Sequence, residues 1–179
     1  MLPIVAGAAA VVVAATIVAI YVASTYKPPP PPHRPIAGIP CEKTAPTGSQ
    51  THAELQIYYQ GTPVTVPANV GVKQGCLYWL HTNDDSGVIA VDLPKSDAHR
   101  TYTLGDFFKI WGQPLSRHQV ATLKPGKGQS VEVWVQGKRY QGDPTGIPLS
   151  SHQTVVIQVG PPFLDPPPAY TWDTSQYPR

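Results

Sequence analysis

Charge is scarce in this sequence. Only 13% of its 179 residues are Asp, Glu, Lys or Arg, none of them before Lys27, where roughly a quarter is usual for soluble domains. The net charge is +2 and no basic cluster interrupts the pattern, so nothing is built to displace counterions from phosphates. Nucleic acid is thereby excluded as the main partner, and an acidic disordered tail is missing as well. Catalytic signatures are equally sparse: there is no Gly-x-Ser-x-Gly elbow, no phosphate-cradling glycine loop, no Cys-x-x-Cys and no haem-attaching Cys-x-x-Cys-His. The 11 carboxylates select no acid and base pair by position. The chain reads as non-catalytic, with no cofactor.

What it has in excess is proline, 22 residues, or about 12% where about 5% is ordinary. Seven fall in residues 28–40 and six in residues 161–178, so the excess belongs to two flanks and the middle of the chain is of nearly ordinary composition. The first flank follows residues 2–26, a run without any ionisable side chain except tyrosine. As a helix this run spans about 37 Å, more than the roughly 30 Å hydrocarbon core, which predicts a transmembrane anchor over residues 1–26. A cleaved signal peptide is the competing reading, but the apolar run is longer than a usual signal core and no basic residue precedes it. Small residues recur along it at Ala6, Ala10 and Ala14 and again at Ala15, Ala19 and Ala23. That spacing lets helices approach closely and makes the anchor a candidate contact with other membrane subunits as well as with lipid.

Residues 27–40 then form a proline-rich stiff linker. Pro28 to Pro32 alone fix about 15 Å of polyproline II, and the whole linker reaches about 40 Å when extended. Lys27 and Arg34 after the anchor favour a cytoplasmic C-terminal part. Against them stand Cys41 and Cys76, the only two cysteines, which fit one disulfide in an oxidising compartment; two buried thiols are the other reading. The cysteines carry more weight, and the domain is expected in the periplasm or the extracellular space.

Residues 41–160 carry strand signals. Ile57-Tyr58-Tyr59 and Val64-Thr65-Val66 flank a turn at Gln60-Gly61-Thr62-Pro63. Cys76-Leu77-Tyr78-Trp79-Leu80-His81-Thr82 leads through the turn formers Asn83-Asp84-Asp85-Ser86-Gly87 into Val88-Ile89-Ala90-Val91-Asp92, a second hairpin. Val131-Glu132-Val133-Trp134-Val135 alternates, turns at Gln136-Gly137-Lys138 and returns, and residues 152–159 supply a final strand. Ile57-Tyr58-Tyr59-Gln60-Gly61 and Val133-Trp134-Val135-Gln136-Gly137 echo each other as two similar hairpins. One helix is predicted over residues 103–112: Leu104, Phe107, Phe108 and Trp111 share a face, Thr103 caps with Asp106, and Gly112 ends it. The fold class is α+β, mainly β: a single transmembrane helix plus a compact domain of antiparallel hairpins with one short amphipathic helix. Residues 161–179 form an extended proline and aromatic tail, whose Phe163, Tyr170, Trp172 and Tyr177 are expected to be exposed and to dock on a neighbour.

The blocks Cys76-Leu77-Tyr78-Trp79-Leu80-His81-Thr82, Tyr102-Thr103-Leu104-Gly105-Asp106-Phe107-Phe108-Lys109-Ile110-Trp111-Gly112-Gln113-Pro114-Leu115-Ser116 and Ile147-Pro148-Leu149 with His152 carry a resemblance. They resemble a family of bacterial and archaeal membrane-anchored extracytoplasmic His-rich proteins that brings no assigned activity with it. The resemblance implies His-x-His-Ala-His-Leu, Leu-His-Thr-His-Asp and Val-Ile-His segments, a donor set suited to copper or zinc. This chain departs from it, reading Gln50-Thr51-His52-Ala53-Glu54-Leu55, Leu80-His81-Thr82-Asn83-Asp84 and Val88-Ile89-Ala90. His52, His81 and His152 remain as weak metal candidates, and Asp84 and Asp85 read first as turn residues.

Two functions follow. The first is a non-catalytic accessory subunit that stabilises or organises a larger membrane protein complex; by architecture the chain looks like a single-span subunit of a photosynthetic reaction centre or antenna, or of a respiratory complex. The alternative is a copper or zinc binding or delivery protein with a degenerate histidine site.

Overall fold

The computed structural model describes residues 33–177. The predicted anchor, with Ala6, Ala10 and Ala14, and the first part of the stiff linker, residues 27–32, lie outside the described residues. Among the described residues no helix is long and apolar enough to cross a membrane.

The described chain is mainly β. Its strands are β1 (Cys41–Glu42), β2 (Ser49–Tyr59), β3 (Thr62–Val64), β4 (Val72–Lys73), β5 (Cys76–Tyr78), β6 (Leu80–Thr82) and β7 (Val88–Leu93), then β8 (Leu115–Ser116), β9 (Gln119–Val120), β10 (Ser130–Val135), β11 (Lys138–Tyr140) and β12 (Gln153–Gly160). Helix α1 (Leu104–Trp111) stands between β7 and β8. The main sheet runs in the order β11-β10-β12-β2-β7-β6, with β3 paired to β2 beyond the reach of β7.

Alternation decides which side chains face inward. Along β2, Ala53, Leu55 and Ile57 enter the core, and their neighbours Ile89 and Val91 on β7 and Val155, Ile157 and Val159 on β12 do the same. Helix α1 adds Leu104, Phe107, Phe108 and Ile110 to that core. Its ends are built as the sequence predicts. The Thr103 hydroxyl accepts from the Asp106 amide, Asp106 accepts from the Thr103 amide in return, and Gly112 closes the helix in the left-handed region at φ 73°. Gly105 is required for a different reason: a Cβ there would lie 2.7 Å from the Thr145 carbonyl oxygen, because a 3-10 turn over Pro144–Gly146 packs against the helix.

The two echoing pentapeptides are equivalent turns. Gln60 and Gly61 take φ 52° and 76°, and Gln136 and Gly137 take 50° and 70°. Two consecutive positive φ values are what a two-residue hairpin turn needs to match strand twist. The hairpins β2-β3 and β10-β11 thus sit on either side of β12.

Three features differ from the sequence reading. The domain is not purely antiparallel, because β12 pairs in parallel with β2, from Gln153 opposite Ala53 to Val159 opposite Tyr59. Hairpin logic sees only neighbours in sequence, and this seam joins strands separated by nearly the whole domain. The run over residues 76–82 is divided at Trp79, with β5 joining β1 and β4 in a small sheet and β6 joining β7 at the edge of the main one. Finally, the last part of the linker belongs to the domain. Ile36 and Ile39 bridge each other, Ile39 is fully buried, and the Tyr78 hydroxyl donates to the Arg34 carbonyl at 2.8 Å. Proline content marked the linker, but two isoleucines mark where the core begins.

Cys41 and Cys76 form a disulfide, which resolves the two readings of the cysteine pair. It fastens β1, immediately after the linker, to β5.

Candidate functional site

The face of the main sheet opposite the core carries the polar chemistry. On β2 the residues between the apolar ones are Gln50, His52, Glu54, Gln56 and Tyr58. Strand register then sets a row across four adjacent segments: His152, just before β12, then His52, then Ala90 on β7, then His81 on β6. Asp92 lies opposite Gln50, two residues along β7 from Ala90 on the same face. All three candidate histidines are therefore brought to one face, and all three are buried.

At His152 and His52 the cover is the C-terminal segment, which folds back over this face as a strap. It is secured first at Gln158, whose amide donates to the Leu164 carbonyl at 2.9 Å and accepts from the Leu164 amide at 2.8 Å, imitating a backbone pair. Further along, Trp172 stacks on His152 with centroids 4.4 Å apart and planes 9° apart. Tyr170 and Tyr177 meet Trp172 edge-on at 4.9 and 5.8 Å. The Nε2–H of His152 donates to the Tyr177 carbonyl at 2.8 Å, and the Tyr177 ring meets His52 edge-on at 4.8 Å. Phe163, Tyr170, Trp172 and Tyr177 are consequently half-buried, not exposed as their position in an extended tail implies. The sheet beneath offers aromatic and imidazole surface, and the strap covers it in the same chain.

The electrostatics follow from this enclosure. His81 donates Nδ1–H to the Tyr78 carbonyl at 3.2 Å, and its Nε2 lies 3.8 Å from Asp92, whose other oxygen accepts from the Gln50 amide at 2.8 Å. His52 has no partner for Nδ1. Burial holds its imidazole below the ordinary value; Asp92 pulls the other way, and His152 and His81 reinforce burial. Glu54 is 1% exposed, and neither of its carboxylate oxygens has a hydrogen-bond partner. Burial pushes its carboxyl up to about 7, opposed only by the Gln56 amide, which stays outside hydrogen-bond geometry.

Donor chemistry for a metal does not assemble here. Among the described residues no group of three or more His, Cys, Asp or Glu side chains is placed to hold a metal ion. Ala90 separates His52 from His81 in the row, and His152 spends Nε2 on the strap. Asp84 caps its own turn through the Ser86 amide and hydroxyl, as its sequence context predicts. Sequence reasoning missed Glu54 and Asp92. The signal was present in the alternation of Gln50, His52, Glu54, Gln56 and Tyr58, which declares a polar face, but alternation does not say that packing buries it.

No protein-family model, no curated protein and no solved structure matches this chain.

Proposed function

We propose that this chain is a non-catalytic, extracytoplasmic accessory subunit, tethered by residues 2–26, that stabilises or organises a larger membrane protein complex. The observation that carries the reading is the joint where the proline linker meets the domain. The Arg34 carbonyl is bonded by Tyr78, Ile39 is sealed in the core, and Cys41 is crosslinked to Cys76, three attachments within eight residues. A stiff spacer that ended in a loose loop would let its domain swing. One that ends in a bond, a core residue and a covalent crosslink is joined firmly to the domain it carries, which suits an organising subunit. The disulfide further supports an oxidising compartment.

Gentle detergent extraction, size separation and mass spectrometry of the co-migrating proteins test this. The expected result is migration with integral membrane subunits of one complex. Migration as a lone 19.3 kDa chain overturns it.

A further inference from the structure

The turn between β8 and β9 and the loop that leads into β10 border a cleft of about 390 Å³, lined by Arg117, His118, Pro125, Gln129 and Ser130. That volume lies in the range of small-molecule sites. All of these side chains except Pro125 carry hydrogen-bond donors, and none is a carboxylate.

Both walls are fixed from within the chain. Arg117 and His118 form the tip of the β8-β9 turn, where the Ser116 hydroxyl accepts from the His118 amide at 3.1 Å and from the Gln119 amide at 3.0 Å. The Arg117 guanidinium is anchored to backbone: Nε–H donates to the Gly142 carbonyl at 3.2 Å, and Nη2 donates to the Tyr140 and Gly142 carbonyls at 2.6 and 2.7 Å. Among the described residues the hydrogens of Nη1 are left without a partner. On the other wall the Gln129 side-chain oxygen accepts from the Gly126 amide at 2.8 Å, and the Gln129 backbone amide donates to the Gly126 carbonyl at 3.0 Å. The side-chain amide hydrogens of Gln129, the His118 imidazole and the Ser130 hydroxyl remain over, again among the described residues.

The positive charge at this cleft is not neutralised in place. Among the described residues the ion pairs are His81 with Asp92, Lys109 with Asp106 and Arg139 with Glu132, and none includes Arg117. Hydrogen bonds from Thr145, the backbone amide first, hold the Asp143 carboxyl below its ordinary range, and the charge of Arg117 contributes less. Lys124 and Lys127, exposed on the loop that supplies Pro125 and Gln129, add further positive charge.

We propose that this cleft is a binding site for a tetrahedral oxyanion, a phosphate group held by Arg117, His118, Gln129 and Ser130. A guanidinium fixed in advance loses little freedom on binding, and charge-assisted N–H···O bonds are the strong kind. Donors supplied from two walls exceed what the two oxygens of a planar carboxylate require and suit a group whose oxygens point in several directions. The cleft takes one such group and is not the row of cations that a polyphosphate backbone needs. It requires no partner complex, so its failure would leave the accessory-subunit reading standing.

Calorimetric titration of the full chain in a nonionic detergent tests it with inorganic phosphate and with glycerophosphoglycerol, the head group of an anionic lipid. Saturable binding of either, in the millimolar range or tighter, is the expected result, and the tighter probe tells a free phosphate from a lipid head group. Arg117→Gln is expected to weaken binding about tenfold. His118→Ala combined with Ser130→Ala keeps every Arg117 bond, is expected to weaken binding about threefold, and serves should the first variant fold poorly. Lys138→Gln, on exposed β11 outside the cleft, is expected to bind as the parent chain does. The proposal is overturned by no saturable binding of either probe up to about 10 mM, by acetate binding as tightly as phosphate, by unchanged binding in the double variant, or by a loss in Lys138→Gln equal to that in Arg117→Gln.

Discussion

Replacing Glu54 by glutamine is expected to stabilise this protein at alkaline pH and to leave it almost unchanged in acid. Glutamine keeps the shape of the side chain and removes the charge that the site does not neutralise. Burial raises the Glu54 carboxyl from 4.5 to about 7, so the folded chain holds this proton more tightly than the unfolded chain does. Stability therefore falls as pH rises from 4.5, and the loss is complete a little above 7. At 1.36 kcal/mol for each pH unit the whole difference is about 3 kcal/mol. His52 works in the opposite direction, since its lowered imidazole costs stability as pH falls below 6.5. It is common to both proteins and cancels when the variant is compared with the parent. Urea unfolding followed by tryptophan fluorescence at a series of pH values gives the comparison. For a urea slope of roughly 1.5 kcal/mol per molar, the variant's midpoint lies about 2 M above the parent's at pH 8 and near it at pH 4.5. Parallel profiles, or a variant that is the less stable of the two at pH 8, would refute the account of Glu54 as a buried, unpartnered carboxyl.

Three further outcomes follow from the same structure. Replacing Cys41 and Cys76 together by serine opens a crosslink that spans 35 residues and is expected to cost about 4 kcal/mol in urea unfolding. Gly105→Ala is expected to destabilise by about 1–3 kcal/mol despite the better helix propensity of alanine, because the new methyl meets the Thr145 carbonyl; a rise in melting temperature would contradict this. Trp172→Ala removes the ring stacked on His152 and is expected to speed hydrogen exchange at Ser175 and Tyr177 while leaving β2 and β12 protected. Equal loss of protection in those strands would show that the strap is part of the cooperative core.

Local features were legible where the chemistry is local. The capping box of α1, its terminal glycine and both Gln-Gly turns depend on residues within a few positions of one another, and each is present. The parallel seam between β2 and β12 was not legible, because no turn or periodicity encodes a pairing across a hundred residues. The candidate site was half legible. His52, His81 and His152 were singled out by type and by resemblance, yet only strand register places them in one row. Glu54 became notable only once packing buried it, since an exposed glutamate in a strand is unremarkable and a buried one without a partner is not.

The sequence by itself determined the division of this protein into apolar, proline-rich and strand-forming stretches, because composition and short-range periodicity act within one segment. It also held the material of the one disulfide, though not the fact of it. Tertiary structure alone decided that the linker's end enters the core and that the aromatic tail is spent on its own sheet. It alone decided that a carboxyl is enclosed without a counter-charge. Each of these depends on which distant segment removes water from a residue, and burial is a property of the packed chain that no single stretch carries.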